Sequence, residues 1–95
     1  MLLSVIIVNY KVKNLLRDCL KSVELAAQHM DIEIWVVDNH SNDGSVEMLQ
    51  QEFPQVNVIA NTENKGFSVA NNQAIDKAKG EYLLILNPDT RINKN

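Results

Sequence analysis

Four short polar segments follow four apolar runs in this 95-residue sequence, and they hold the side chains best suited to chemistry. Asn9-Tyr10 closes the first run and Asp38-Asn39 the second. Asn61-Thr62-Glu63-Asn64-Lys65-Gly66-Phe67 follows the third, and Asn87-Pro88-Asp89-Thr90 the fourth. Loops are polar and asparagine favours turns, which accounts for about half of these residues. It does not account for carboxylates at two run ends, Asp38 and Asp89. Amides, hydroxyls and carboxylates together suit an oxygen-rich ligand, and a hard cation could join it. Two other phosphate sites are excluded, because neither G-x-G-x-x-G nor G-x-x-x-x-G-K-[ST] occurs. No H-x-x-H or C-x-x-C pair is present, so a structural zinc site is excluded too.

The elements that must position these segments follow from periodicity. Leu2 to Val8 is almost continuously apolar and β-branched, as in a strand covered on both faces, and should be central. Leu15, Leu16, Cys19, Leu20, Val23, Ala26 and Ala27 recur at helical spacing, which predicts a helix from about Val12 to His29. Ile32 to Val37 reads as a second strand. The polar run 38–44 then leads into a helix carrying Val46, Leu49 and Phe53 inward, with Met48 off the stripe and Pro54 as its stop. Val56 to Ala60 alternates more, as in a strand nearer an edge. Phe67, Ala70, Ala74, Ile75 and Ala78 mark a third helix, with Gly80 at a position common for a left-handed C-cap. Tyr82 to Leu86 is the fourth strand. Regular alternation of strand and helix predicts an α/β domain with a mainly parallel sheet, in which ligands bind outside the carboxyl ends of the strands.

Composition bounds the remaining choices. An apolar content of 45% in 95 residues gives one globular unit with a real core. The nine Lys and Arg are dispersed and the net charge is −3, which argues against nucleic acid as a partner. Cys19 has no second cysteine to pair with and reads as a small buried hydrophobe in a reducing, cytosolic setting. The opening apolar run is too short to span a bilayer.

Val5-Ile6-Ile7-Val8-Asn9-Tyr10, Val36-Val37-Asp38-Asn39, Asn64-Lys65-Gly66-Phe67 with Asn71-Asn72, and Gly80-Glu81-Tyr82 leading to Leu86-Asn87-Pro88-Asp89-Thr90 resemble, in this order and spacing, the inverting glycosyltransferases of family 2. The Asn-Pro-Asp-Thr version looks most like their rhamnosyltransferase-like branch. The resemblance implies the N-terminal half of a GT-A fold, Rossmann-like, a three-layer α/β/α arrangement with strand order 3-2-1-4. It implies a bacterial enzyme of cell-wall or polysaccharide biosynthesis, cytoplasmic, with peripheral contact at the inner membrane for the full-length protein.

The resemblance also distributes roles. Asn9 and Tyr10 match the segment lining a nucleoside pocket, although Tyr10 reads equally as a half-buried packing aromatic. Asp38, with Asn39 beside it, matches the acid that reads the base; a carboxylate would accept the N3–H of uracil or thymine in a charge-assisted bond. Its alternative is a loop cap, a task that Asn39 and Ser41 could also serve. Lys65 and Gly66 match the segment beside the nucleotide, where glycine permits close backbone approach. Lys65 alone reads as a surface lysine and Phe67 as core. Asn71 and Asn72 are poor helix formers and suggest hydrogen-bonding work. Asn87 and Asp89 occupy the place of the family's D-x-D motif, with asparagine for the first acid, so Mg²⁺ or Mn²⁺ is expected to need the diphosphate as well. His29 and His40 have no assigned role and are expected to be exposed.

The implied partners are a UDP- or dTDP-sugar donor and a glycan or lipid-linked acceptor. The catalytic base and acceptor half are expected downstream of residue 95, leaving this chain inactive alone and the edge of its fourth strand open to self-association. A receiver-like, non-catalytic module is the alternative, but that fold needs acids where this chain has Asn9.

Overall fold

The computed structural model describes residues 2–89; Met1 and residues 90–95, including Thr90 of the fourth polar segment, lie outside the described residues. The order of elements is β1 (Leu3–Asn9), α1 (Lys13–Ala26), β2 (Ile32–Asp38), α2 (Ser45–Glu52), β3 (Asn57–Ala60), α3 (Phe67–Lys77) and β4 (Tyr82–Leu86). The strands form one sheet, β3-β2-β1-β4, and every pairing is parallel. Alternation along β1 explains the layers. Val5 and Ile7 face α1 and α2, packing with Leu16, Leu20, Val36, Leu49 and Phe53. Ile6 and Val8 face α3, packing with Val37, Ala70 and Ala74. Cys19 is buried in the first of these clusters. A side chain the size of Ile6 or Ile7 contributes about 1.5–3 kcal/mol when fully buried.

Five expectations are corrected. Helix α1 ends at Ala26 rather than His29, because Gln28, His29 and Met30 are exposed and bury nothing that would hold another turn. Leu15 is exposed, not inward. In α2 Leu49 and the following Phe53 are buried as expected, but Ser45 and Met48 join them in place of Val46, because Ser45 is turned inward by its own hydrogen bonds and shifts the phase of the helix. Phe67 is 55% exposed rather than core; it is the first residue of α3 and, although it shares the helix face of Ala70 and Ala74, it joins neither core cluster.

Gly80, finally, is not a left-handed cap, since α3 stops at Lys77 and its C-cap residue, Ala78, is extended at φ −66° and ψ 140°. Glycine is required there by contact. A Cβ on Gly80 would lie 2.4 Å from Ser4 Oγ and 2.6 Å from the Ser4 nitrogen. The Gly80 N–H donates to Ser4 Oγ (2.8 Å), Ser4 Oγ donates to Glu33 Oε2 (2.6 Å), and the Lys79 N–H donates to the same carboxylate oxygen (2.5 Å). This clasp fastens the start of β4 to β1 and β2.

The clasp sets a pH dependence. Partial burial opposes ionisation of Glu33, but the Ser4 hydroxyl and the Lys79 and Gly80 N–H groups outweigh it and hold the carboxyl below its ordinary 4.5. A depressed folded-state pKa contributes stability that is complete above the unfolded value and lost as pH falls through the folded one. Urea unfolding at a series of pH values is therefore expected to show wild type more stable than Glu33→Gln near neutrality, with the gap closing below pH 4.5. A gap that stays constant with pH would show that the clasp does not favour the ionised carboxylate.

Candidate functional site

Register places Asn9 directly beside Asp38 at the carboxyl ends of the two central strands. Both are buried, at 0% and 3% exposure. The Asn39 N–H donates to the Asn9 carbonyl and the Asn61 N–H to the Asp38 carbonyl, each at 2.9 Å, so the sheet ladder runs on into the loops. Asn9 Nδ2 donates to Asp38 Oδ1 (2.9 Å) and to Ser45 Oγ (3.0 Å). Ser41 Oγ donates to Asp38 Oδ1 (2.6 Å), and the Ser41 N–H donates to Asp38 Oδ2 (3.1 Å). Ser41 Oγ in turn accepts the Lys11 N–H at 2.8 Å.

The loop 39–44 bends through left-handed residues His40, Asn42 and Gly44 to bring these groups together. Asp43 completes it, accepting from the Ser45 N–H (3.0 Å) and hydroxyl (2.5 Å) and from the Lys13 N–H (3.3 Å). Burial works against its charge, yet those donors hold its carboxyl below the usual aspartate range. The cap of the β2–α2 loop is therefore shared among Asp38, Ser41 and Asp43. Asn39 takes no part in it. Its Oδ1 accepts from Asn61 Nδ2 (3.0 Å) and the Lys65 N–H (3.3 Å), while its Nδ2 donates to the Gly66 carbonyl (3.2 Å). Asn39 thus ties the second rim loop to the third, and Asn61 and Gln73 lock that loop to α3 through paired amides at 2.8 and 3.0 Å.

The rim opens on both sides of the Asn9–Asp38 pair. Toward β3 lies a cavity of about 380 Å³ lined by Asp38, His40, Asn42, Ser45, Glu47 and Asn61. Toward β4 lies a cleft of about 270 Å³ between Val12 and Leu15 of the α1 end and the Asn87-Pro88-Asp89 turn. The Asn87 carbonyl meets Cys19 Sγ at 3.8 Å, and burial with the nearby Asp89 charge pushes that thiol up to about 11. Tyr10 is 43% exposed with Lys11 Nζ 5.1 Å from its ring centre.

Asn9, Asp38, Asn39, Lys65 and Gly66 are thus connected directly, and Asn87 and Asp89 form a second group against α1. Lys65 is exposed beside Glu63 at 3.7 Å, and Asn72 is exposed. Gly66 has φ 81° and open space around it. Asn71 is buried, and its Oδ1, like that of Asn9, has no partner among the described residues. An unpaired buried acceptor costs about 1–3 kcal/mol, and such atoms call for an explanation beyond packing. Among the described residues no three His, Cys, Asp or Glu side chains gather as metal ligands. Ser41 was legible as a loop cap, and the structure gives it that place beside Asp38; Asp43, Ser45 and Gln73 were not singled out from sequence, and for Asp43 and Ser45 the polar run ahead of α2 was the one visible signal.

The sequence profile of glycosyl transferase family 2 matches residues 4–95. A poly(ribitol-phosphate) beta-glucosyltransferase of Bacillus spizizenii is 38% identical over 97% of this chain, which spans 15% of that protein. TarS of S. aureus, solved in complex with UDP, superposes on 99% of the chain with a TM-score of 0.84 at 29% identity; the chain spans 29% of it. The mannosyltransferase PcManGT of Pyrobaculum calidifontis, solved with GDP-Man and Mn²⁺, superposes on 92% with a TM-score of 0.78 at 26% identity, and is spanned to 27%. The parallel sheet, its strand order and the sequence profile converge, and this chain belongs to glycosyl transferase family 2.

Proposed function

We propose that the chain binds the nucleoside diphosphate of a sugar donor, with Asn9, Tyr10, Asp38, Asn39, Lys65, Gly66, Phe67, Asn71, Asn72 and Asn87 forming the pocket. One observation carries the reading: a buried carboxylate and a buried amide side by side at the ends of β1 and β2, next to exposed Tyr10. Solved relatives hold donors of both base classes, UDP-GlcNAc and GDP-Man, so the preference for uracil or thymine rests on Asp38 as acceptor for N3–H.

Asp89 supplies one oxygen to Mg²⁺ or Mn²⁺, and the diphosphate and water supply the others a hard cation needs. In the complete protein a carboxylate base outside residues 1–95 deprotonates an acceptor hydroxyl. That oxygen displaces the nucleoside diphosphate from the anomeric carbon with inversion. The acceptor is a glycan or lipid-linked glycan, the setting is cytoplasmic at the inner membrane, and residues 1–95 alone do not turn over. No helix among the described residues is long and apolar enough to cross a membrane.

Calorimetry tests this reading. UDP is expected to bind with a Kd on the order of 0.1–1 mM, and ADP about tenfold more weakly. Mn²⁺ should tighten UDP about tenfold, with UDP tightening Mn²⁺ by the same factor. Asp89→Ala should abolish that coupling and leave metal-free UDP affinity unchanged. Equal affinities for both bases, with and without Mn²⁺, would remove both assignments.

A further inference from the structure

Asn9 ends β1 beside Asp38, and its side chain is fully buried, so the amide has no surface to offer a ligand. Its Nδ2 carries two hydrogens, and the nearest acceptors are Asp38 Oδ1 at 2.9 Å and Ser45 Oγ at 3.0 Å, with Ser41 Oγ further off at 3.3 Å. Among the described residues the Asp38 carboxylate accepts three hydrogen bonds. Two of the donors, the hydroxyl and the N–H of Ser41, belong to the loop that Asp38 itself begins; Asn9 alone reaches it from another strand. The rest of the amide is unused. Asn9 Oδ1 is buried without a partner among the described residues. An unpaired buried acceptor weakens the folded state, so stability alone does not explain an amide at this position.

We propose that Asn9 is a positioning residue for the choice of base, holding Asp38 rather than the nucleotide. An aspartate carboxyl turns easily about its last torsion, so the donors around it decide which acceptor position stays open. Asn9 and the Ser41 hydroxyl fill Oδ1, and the Ser41 N–H takes one place on Oδ2. What remains is a single acceptor on Oδ2. It matches a single N–H between two carbonyls, the N3 edge of uracil or thymine, whereas adenine presents the bare acceptor N1 in that place. Without Asn9 a position on Oδ1 opens as well and the carboxylate is free to turn, so the distinction between the bases fades. The role presupposes Asp38 as the acceptor for N3–H.

Valine and threonine share one shape and differ by a hydroxyl donor, and both suit a strand. In calorimetry on the 95-residue chain, Asn9→Val is expected to weaken UDP about tenfold, to the level of ADP, and to leave ADP itself unchanged within about twofold. Asn9→Thr, whose hydroxyl can donate to Asp38 Oδ1, should keep UDP preferred over ADP at least about fivefold. A collapsed pocket would weaken both nucleotides together, and a packing role would make the two variants alike; either result overturns the proposal. If Asn9→Val does not fold, Asn9→Leu makes the same comparison, because it too lacks the donor. If Asn9→Leu fails as well, the side chain serves the fold and the proposal is likewise overturned. Wild type binding UDP and ADP equally would be a different failure, that of Asp38 as reader of the base, and it removes the role of Asn9 with it.

Discussion

Gly80→Ala is expected to cost about 3 kcal/mol or more, since overpacking a filled site already costs about 1–3 kcal/mol and here the obstacle includes backbone. The added methyl would meet Ser4 Oγ at 2.4 Å, the Ser4 nitrogen at 2.6 Å and the Leu2 carbonyl at 3.0 Å. A side chain can rotate away; the Ser4 nitrogen belongs to central strand β1 and cannot. Relief must come from β4, whose entry is held by the Glu81 N–H to the Leu2 carbonyl at 2.9 Å and by the Gly80 N–H to Ser4 Oγ. Moving it breaks the clasp and strips β4 from the sheet. For a domain of this size each kcal/mol shifts Tm by about 4–8 °C, so thermal unfolding should fall by roughly 12–24 °C. Adding Ser4→Ala removes the hydroxyl but not the nitrogen, and should therefore fail to rescue the variant. Full rescue would mean that the clash is with the hydroxyl alone.

Gly80 shows where sequence stops being informative. Its place after a helical pattern suggested a cap, a local role, whereas its requirement comes from Ser4, which pairs with β4 across the sheet. The same division runs through the molecule. Strands β1 and β2 were legible because both of their faces are buried, which leaves continuous β-branched runs. The strand order was legible through the family resemblance, not through periodicity. Helix α2 was misphased because its stripe begins on a serine, and a hydroxyl turned inward by Asn9 and Asp43 has no hydrophobic signature. Phe67 was misplaced because the start of α3 is fixed by Gly66 and its tie to Asn39, which leaves the ring outside. At the site, residue types at strand ends were sufficient to pick out Asn9, Asp38 and Asn39. Apart from Ser41, their partners were not legible, because hydrogen bonds among serines, asparagines and aspartates far apart in sequence obey no period.

Asp38 tests the boundary between structure and binding, and Asp38→Ala is expected to cost about 3 kcal/mol, as the loss of buried, charge-assisted hydrogen bonds does. The carboxylate accepts from Asn9 Nδ2 and from the Ser41 hydroxyl and N–H. An ionised carboxylate offers about four acceptor positions, so one on Oδ2 remains for the N3–H of a pyrimidine, on the wall of the cavity that Asp38 lines. Loss of UDP binding in Asp38→Ala would therefore be ambiguous by itself, because the collapsed loop removes the pocket in either case. Ser41→Ala separates the two roles. It deletes the hydroxyl bond to Asp38 and the acceptor for the Lys11 N–H but keeps the carboxylate and the backbone bond. Stability should drop by about 1–2 kcal/mol, while UDP should still be preferred over ADP. Asp38→Asn keeps the shape but turns an amide donor toward either Asn9 Nδ2 or the Ser41 N–H, and it should lose the preference even where the variant remains folded. If folded Asp38→Asn binds UDP and ADP in the wild-type ratio, Asp38 is a loop cap alone and the base is read elsewhere.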